Sequence, residues 1–350
     1  MSFVQQLGIK HPILLAPMAG VSTPELAAEV SNQGGFGSLG LGASSIESAR
    51  KQILDTQALT DLPFQVNFFC HESVESVESN VASQQVWIDY IRPAFEKFNS
   101  SAPSELKCIY PSFKDNDEFL NLVLETKPKA VSFHFGIPHL HQITKLKEAG
   151  ILTLVSATNL AEARAIEAAG IDIIIAQGIE AGGHRGIFNP TFDAAIATAD
   201  LVRLITQNCT LPVIAAGGIM QGEHIKDMLN LGASAVQLGT AFVQCKTSSA
   251  NPAYRQALLS QPITQVTASI SGRPARGIIN HWQTDIDLPE RPETAPYPYA
   301  YDLTKQLNAL AVKNGDVGYG AFWAGSHVAQ IRELEARDLM NQLVLEMNQL

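Results

Sequence analysis

The chain has 350 residues with 34 acidic and 24 basic side chains, and its apolar fraction of 46% is that of a globular protein with a large core. The acidic residues are scattered and no Lys/Arg run occurs, so the electrostatic footprint of a nucleic-acid-binding protein is excluded. No signal peptide and no stretch of about 18 apolar residues is found, which favours a cytoplasmic protein without membrane contact whose partner is a small molecule.

Eight short apolar segments alternate with helical patterns over the first 245 residues. They span residues 12–18, 36–41, 64–69, 130–135, 152–156, 172–177, 212–216 and 235–238. Several, such as the Ile run at 173–175, are apolar throughout, as is typical of strands covered on both faces. Eight strand-helix units predict an α/β protein with a (β/α)₈ TIM barrel.

Helix starts are also encoded locally. Ser22 and Glu25 have the spacing of a capping box, with Pro24 inside the first turn. Asn159 and Glu162 predict a second helix start before an apolar face. Both predicted helices directly follow a predicted strand, as a parallel crossover requires.

Two regions interrupt the alternation. Residues 70–129 are too long for one crossover and contain a helical pattern at 81–98, so we expect an insertion after strand 3. From residue 246 the alternation stops. We therefore predict a cofactor-binding barrel over 1–245, a smaller substrate-covering region over 246–319, and helical structure packing on the barrel over 320–350.

Glycine-containing turns follow the last two predicted strands. Gly217-Gly218 and Gly239-Thr240 lie where TIM barrels bind phosphate, because glycines let backbone N–H groups approach an anion closely. A single Gly-Gly pair is explained equally well by a tight turn. Two such turns at both expected strand ends favour a phosphate site.

Other polar or unusual residues end the strands at the same mouth. Asn67 and Gln177 offer carboxamides suited to the polar edge of a planar heterocycle. Pro17 and Met18 provide backbone and a thioether for a ring face, although ordinary packing explains that pair as well.

Two histidines are candidate catalytic residues. His184 lies in a loop with three glycines beside Arg185, where imidazole is suited to act as a base or anion partner. His134 ends the fourth strand, and a structural role is equally plausible there. The four cysteines are far apart without metal-ligand spacing, so neither a disulfide framework nor a metal site is predicted.

These motifs resemble those of the nitronate monooxygenases, formerly called 2-nitropropane dioxygenases. The resemblance covers residues 8–245, with a weaker match at 271–277, while 70–129 matches no family motif. Its most specific element is the block Glu-Ala-Gly-Gly-His-Arg-Gly at 180–186. The resemblance implies FMN as cofactor and His184 as the active-site histidine. The predicted cofactor-binding residues are Pro17, Met18, Asn67, Gln177, Gly182, Gly183, Gly217, Gly218, Gln237, Leu238, Gly239 and Thr240.

The resemblance further implies oxidation of alkyl nitronates, such as propionate 3-nitronate, by O₂ to a carbonyl compound and nitrite. Tyr297, Tyr299 and Tyr301 in the Pro-rich segment are candidates for the substrate pocket. Three alternatives stay open: an FMN-dependent enoyl-acyl-carrier-protein reductase, an NAD(P)H:quinone reductase on the same scaffold, and a flavin-binding protein without turnover. The sequence does not determine the oligomeric state.

Overall fold

A parallel eight-stranded barrel organises the chain. The structure, a computed structural model, describes residues 2–73, 78–260 and 262–349. The barrel strands are β1 (Ile13–Leu15), β2 (Gly37–Gly40), β3 (Phe64–Phe69), β4 (Ala130–His134), β5 (Leu152–Ala157), β6 (Ile173–Gln177), β8 (Val213–Ala216) and β9 (Ala235–Leu238). A separate antiparallel sheet contains β7 (Gly183–His184), β10 (Thr264–Thr267) and β11 (Ala275–Ile278). All eight predicted barrel strands are confirmed.

The barrel strands pair in the order β1-β9-β8-β6-β5-β4-β3-β2. A parallel bridge between Leu14 and Phe36 brings β1 against the start of β2 and completes the circle. Because all strands run in one direction, their carboxyl ends meet at one mouth, which is where a barrel of this kind places its active site.

The helices surround this barrel and extend from its mouth. They are α1 (Phe3–Leu7), α2 (Pro24–Asn32), α3 (Ile46–Leu59), α4 (Glu78–Glu96), α5 (Glu118–Thr126), α6 (Leu140–Glu148), α7 (Leu160–Ala168), α8 (Thr198–Thr206), α9 (Gly222–Asn230), α10 (Thr240–Val243), α11 (Pro252–Leu259), α12 (His281–Asp285), α13 (Tyr299–Lys313) and α14 (Ala336–Gln349). None of the described helices is long and apolar enough to cross a membrane.

One predicted helix cap is confirmed and one is wrong. Asn159 caps α7 by accepting from the backbone N–H of Glu162. At α2 the cap is Thr23 rather than Ser22, since Thr23 Oγ1 accepts from the N–H of Leu26. Ser22 accepts instead from the N–H of Met18 at 3.0 Å and so fixes the turn after β1 at the barrel mouth.

Two apolar layers enclose the strands. Inside the barrel, side chains such as Leu154, Ile173 and Ile214 are fully buried and contact Leu7 of α1, which closes the amino-terminal end. Outside it, the strands pack against the ring of helices in a larger continuous core. Apolar side chains therefore fill the barrel interior below the mouth, and a cleft opens where the loops converge.

The insertion and the covering region form one structure. Trp87 and Ile91 of α4 pack with Trp282 of α12 and Leu303 of α13 in a second apolar core. Backbone contacts reinforce it, since Asp302 accepts from the N–H of Lys107 at 2.9 Å. The two regions, far apart in sequence, together make a cap beside the mouth.

The C-terminal segment has two parts. Helix α14 buries Leu339, Met340 and Leu343 against the outer core of the barrel. Helix was also expected from residue 320 onward, but residues 320–327 form a bend, an isolated bridge and a turn beside the mouth, so this part of the expectation is wrong. The bridge joins Trp323 to Gly277 of β11. The domain boundaries at 245 and 319 stay predictions.

Candidate active site

A cleft of about 830 Å³ opens at the carboxyl ends of the barrel strands. That volume lies within the range of small-molecule and cofactor sites, roughly 300–1,000 Å³. Its walls include all twelve predicted cofactor-binding residues, both candidate catalytic histidines and Tyr301. Residues that sequence reasoning had placed at separate strand ends thus share one cavity.

Unpaired backbone donors line one side of this cleft. Within residues 2–73, 78–260 and 262–349, the N–H groups of Gly218, Gly239 and Thr240 have no hydrogen-bond acceptor. Thr240 is the first residue of α10, where helix geometry leaves the N–H without an internal partner. Unpaired N–H groups directed at a cavity favour an anionic ligand.

The two glycine turns differ in what surrounds them. Gly218 has a positive φ of 69°, and a Cβ there would lie 2.9 Å from His327 Nδ1. A Cβ on Gly239 would meet nothing nearer than Ala16 Cβ at 3.4 Å. Gly218 is therefore required by its own backbone and packing, whereas Gly239 leaves space that belongs to the cleft.

Two amide side chains on the floor have unused polar atoms. Asn67 donates through Nδ2 to the carbonyl oxygen and hydroxyl of Ser132, at 3.1 and 3.0 Å. Gln237 accepts at Oε1 from Gln65 Nε2 at 3.3 Å. Among described residues, no partner is found for Asn67 Oδ1 or Gln237 Nε2. One acceptor and one donor are thus left for a ligand edge.

Gln177 and Arg185 hold the loop that carries His184. Gln177 Oε1 accepts from the N–H of Gly186 at 2.7 Å and from Arg185 Nη1 at 3.1 Å. The fully buried Arg185 also pairs through Nε with Asp193 at 2.7 Å. A buried guanidinium is stable only when its donors are satisfied in this way. Most of the hydrogen-bonding capacity of Gln177 is therefore used inside the protein.

His134 contacts the same loop through both ring nitrogens. Its Nε2 lies 3.0 Å from the carbonyl oxygen of His184, which only accepts, so Nε2 carries the proton. Nδ1 then accepts from Ser156 Oγ at 3.1 Å. Burial lowers the pKa of His134 to about 4, so the ring is neutral at pH 7. Neither nitrogen is left for a substrate.

The His184 ring lies at the meeting point of barrel and cap. Its Nε2 is 2.8 Å from Ser271 Oγ, and Nδ1 has no hydrogen bond within the described part of the chain. Aromatic rings surround it, with Trp323 at 5.2 Å and Phe135 at 5.6 Å between centroids. Burial, with smaller effects from His134 and Arg273, lowers the pKa of His184 to about 3. A neutral imidazole with one free nitrogen faces the cleft.

The three candidate pocket tyrosines lie in different places. Tyr301 is part of the cleft wall. Tyr297 is buried behind it, packed on Phe135, and its hydroxyl has no hydrogen-bond partner among the residues that the structure describes. Tyr299 packs on the apolar core of the cap and does not line the cleft. Only one of the three faces the site.

Sequence reasoning missed several wall residues. Lys305 of α13 lies at the cleft and donates to the hydroxyl of Tyr110, from the insertion, at 2.6 Å. No carboxylate within the described residues forms an ion pair with Lys305. Trp323 and His327 reach the cleft from the C-terminal region. No motif marks these residues, because their position depends on how the cap folds onto the barrel.

The unpaired backbone N–H groups, the free amide atoms and the neutral histidine lie together at the mouth of a TIM barrel, where enzymes of this fold place their active sites. The family model for nitronate monooxygenase matches residues 2–346. The chain belongs to the nitronate monooxygenase family, whose members are flavin-dependent oxidoreductases.

Individual relatives agree with that assignment. The chain is 52% identical to a nitronate monooxygenase of Paraburkholderia phytofirmans over 98% of its own length and 94% of the relative's. It is 49% identical to one of Pseudomonas aeruginosa, over 99% and 98%. Among solved structures, nitroalkane oxidase from Streptomyces ansochromogenes is similar with a TM-score of 0.87 and 35% identity, covering 99% of this chain and 98% of that one. FabK from Thermotoga maritima gives 0.73 and 28%, covering 99% and 95%.

Proposed function

We propose that this protein binds FMN at the barrel mouth and oxidises alkyl nitronates with O₂ to a carbonyl compound and nitrite. The observation that carries the proposal is the composition of the cleft. A cradle of unpaired backbone N–H groups lies on one side and a neutral histidine with a free nitrogen on the other, and the family membership agrees with both.

FMN fits the donors present. Its single phosphate matches the N–H groups of Gly218, Gly239 and Thr240, and the space beside Gly239 accommodates it. The Gly-x-Gly-x-x-Gly spacing at Gly35, Gly37 and Gly40 falls on strand β2 (Gly37–Gly40) and not in a turn between a strand and a helix, so it is not the dinucleotide fingerprint. Bound FMN would supply the electron acceptor for a nitronate.

The isoalloxazine ring of FMN would bind at the floor of the cleft. Asn67 Oδ1 and Gln237 Nε2 match the mixed donors and acceptors of an isoalloxazine edge. We propose that the backbone of the remaining predicted residues lies close to the cofactor. These residues are Pro17, Met18, Gly182, Gly183, Gly217 and Leu238. Gly40 supports this, since a Cβ there would lie 2.7 Å from the Met18 carbonyl carbon.

On the substrate side, His184 is the group we assign to the nitronate. Its environment keeps the ring neutral, and its free nitrogen is available to the cleft. His134 and Gln177 both donate to the His184 carbonyl, at 3.0 and 2.9 Å. We therefore propose that these two residues position the His184 loop rather than contact the substrate.

Lys305 favours a nitronate with a second negative charge. It is an exposed cation at the cleft whose polar contact is the Tyr110 hydroxyl. A carboxylate at the far end of the substrate would gain a charge-assisted hydrogen bond there. Propionate 3-nitronate carries this group, whereas ethyl nitronate does not.

The proposal is tested by identifying the bound flavin and the products. Protein is denatured, the released flavin is separated chromatographically, and nitrite is measured after aerobic incubation with propionate 3-nitronate. We expect FMN in near-equal amount to protein and nitrite formation that requires enzyme. Recovery of FAD would overturn the cofactor assignment, and FMN protein without nitrite formation would overturn the activity.

A nicotinamide-dependent reductase is the second candidate, supported by the 28% identity to FabK over 99% of this chain. Such an enzyme would reduce its flavin with NADH or NADPH. The protein's response to these nucleotides in the absence of O₂ distinguishes the two functions.

A further inference from the structure

His327 lies beside the backbone N–H groups to which we assign a phosphate. Its side chain lines the cleft, and a Cβ on Gly218 would lie 2.9 Å from Nδ1 and 3.1 Å from Cε1 of the imidazole. Cε1 is the atom between the two ring nitrogens, so this edge of the ring lies against Gly218. The imidazole and the unpaired N–H of Gly218 therefore occupy the same part of the cleft wall.

Only one ring nitrogen of His327 has a partner. Nδ1 lies 2.7 Å from the carbonyl oxygen of Gly218, and because a carbonyl oxygen only accepts, Nδ1 carries a proton. Within residues 2–73, 78–260 and 262–349, Nε2 has no hydrogen bond. A second proton on Nε2 would thus break no existing hydrogen bond, and it would turn the ring into a cation with a free donor.

A second imidazole, that of His224 on α9, lies beside His327 with 5.7 Å between the ring centroids. Its Nδ1 accepts from the N–H of Met220 at 3.2 Å, so a proton at this nitrogen would break that bond. Burial, with a smaller effect from His327, lowers the pKa of His224. The exposed His327 is therefore the member of the pair that takes a proton.

The protein itself offers little to balance a positive charge on His327. No carboxylate among the described residues forms an ion pair with His327, and the carboxylate of Glu180 accepts from the N–H and the hydroxyl of Thr198, at 2.9 and 2.7 Å. Helix α10 packs beside residues 328–330 and has no titratable side chain. The titratable or charged groups around the two imidazoles are Glu180, Glu223, Asp227, Tyr254 and Arg255.

We propose that His327 is a further phosphate-binding residue, whose protonated ring donates through Nδ1 to the Gly218 carbonyl and through Nε2 to the phosphate of FMN. The N–H of Gly218 and Nε2 of His327 then bind the same anion from neighbouring positions. A hydrogen bond between an imidazolium and a phosphate is stronger than one between neutral groups. The inference rests on the proposed function for FMN as the ligand and is independent of nitronate oxidation.

The test compares FMN with riboflavin, which has the same ring system and no phosphate. Flavin is removed from the full chain, and the affinity for each flavin is measured by equilibrium dialysis. In His327→Leu, we expect about tenfold weaker FMN binding at about pH 6.5, the lower end for a hydrogen bond to a charged group, and unchanged riboflavin binding. Equal losses for both flavins would show that His327 acts through packing and would overturn the proposal.

The pH dependence tests the charge on the ring. The imidazolium is present at low pH and is lost as the pH rises, so the preference of the native protein for FMN over riboflavin should fall several-fold between about pH 6.5 and 8.5. A phosphate monoester, with a second pKa of about 6, is mainly dianionic over this range. His327→Gln has an amide donor and no titratable group, so its preference should not change with pH.

His141→Gln is the matched control. It removes an exposed imidazole of α6 that does not line the cleft, and it should behave like the native protein with both flavins. A pH-dependent preference that His327→Gln retains would assign the titration to another group and overturn the role of His327.

The outcomes separate this inference from the proposed function. Equal affinities of the native protein for FMN and riboflavin would contradict the phosphate position itself and the contact of His327 with it. A preference for FMN that His327→Leu retains in full would overturn the role of His327 alone. If the preference depends on His327 but no nitrite forms from a nitronate, the phosphate contact stands and the proposed oxidation fails.

Discussion

The two sides of the cleft are built in different ways. The anion cradle comes from two consecutive strand ends, residues 217–240, and consists of backbone N–H groups. The wall that we assign to the substrate uses side chains from distant segments: His184, Tyr110, Tyr301, Lys305 and Trp323. A neutral imidazole and aromatic rings dominate that wall.

This difference indicates that the two sides of the cleft have separate roles. We assign the backbone donors of residues 217–240 to a cofactor phosphate, and a negative charge added beside them would oppose that binding. A wall of side chains from a cap is adjustable, since each residue is replaceable without disturbing the barrel. We therefore expect the largest effects on the cradle side and graded effects along the wall.

The largest effect is expected for Gly239→Asp. The new carboxylate would enter the space assigned to phosphate, and like charges there cost several kcal/mol, on the order of a 10³-fold loss of FMN affinity. Asp is favourable at the start of α10, so the fold should persist. Flavin content measures the loss of FMN binding, and circular dichroism checks that the fold persists.

Gly239→Ala is the matched control and should retain flavin, since its Cβ meets no atom closer than 3.4 Å. Full flavin content in Gly239→Asp would place the phosphate elsewhere. Gly218→Asp is less informative, because its Cβ would crowd His327 and Glu180 even without a cofactor.

On the wall, His184→Phe should lower kcat/KM for nitronates by about 10- to 100-fold. The change keeps an aromatic ring but removes a hydrogen bond to a charged group, worth about 1.5–3 kcal/mol. His184→Asn retains a donor and should lose less. Steady-state kinetics with normal flavin content in both variants checks this, and equal kinetics in all three proteins would remove His184 from the site.

A smaller, substrate-selective effect is expected for Lys305→Met. Because Lys305 is exposed, its pairing with a carboxylate is worth at most about 1 kcal/mol, or roughly fivefold in KM for propionate 3-nitronate. Ethyl nitronate should be unaffected. Lys313→Met, at the exposed end of the same helix, serves as control, and equal changes for both substrates would contradict a carboxylate contact.

The smallest effect is expected for Tyr297→Phe. The buried hydroxyl of Tyr297 has no hydrogen-bond partner in the described part of the chain, so its removal should leave kinetics unchanged and stabilise the protein by up to about 1 kcal/mol. Thermal unfolding and nitronate kinetics test this together. A marked loss of activity would mean that Tyr297 contacts the substrate, contrary to its position behind the cleft wall.

The same contrast explains what the sequence could predict. Strand ends and their glycines are local features, so the sequence could predict that residues 217–240 and the His184 loop lie at strand ends, and the structure brings them into one cavity. The free nitrogen of His184, by contrast, depends on Ser271, 87 residues further along the chain. Lys305 and Trp323 carry no motif, because their role arises when the insertion and the C-terminal regions pack together.

The local sequence pattern also gave the wrong helix cap at α2, where two neighbouring residues are both suitable caps. Ser22 and Thr23 are both good helix caps, and the turn after β1 decides between them by using the Ser22 hydroxyl for Met18. Gln177 looked like a ligand-reading amide, yet the buried Arg185 occupies its oxygen. Only the tertiary arrangement shows which polar atoms remain free.

The central claim is that a nitronate alone delivers electrons to the cofactor in this cleft. The most direct measurement mixes the purified yellow protein anaerobically with propionate 3-nitronate, NADH or NADPH in separate cells and follows the flavin absorbance. We predict rapid bleaching with the nitronate and none with either nucleotide on the same timescale. Bleaching by NADH or NADPH with no response to the nitronate would contradict the claim and assign the protein to the reductases.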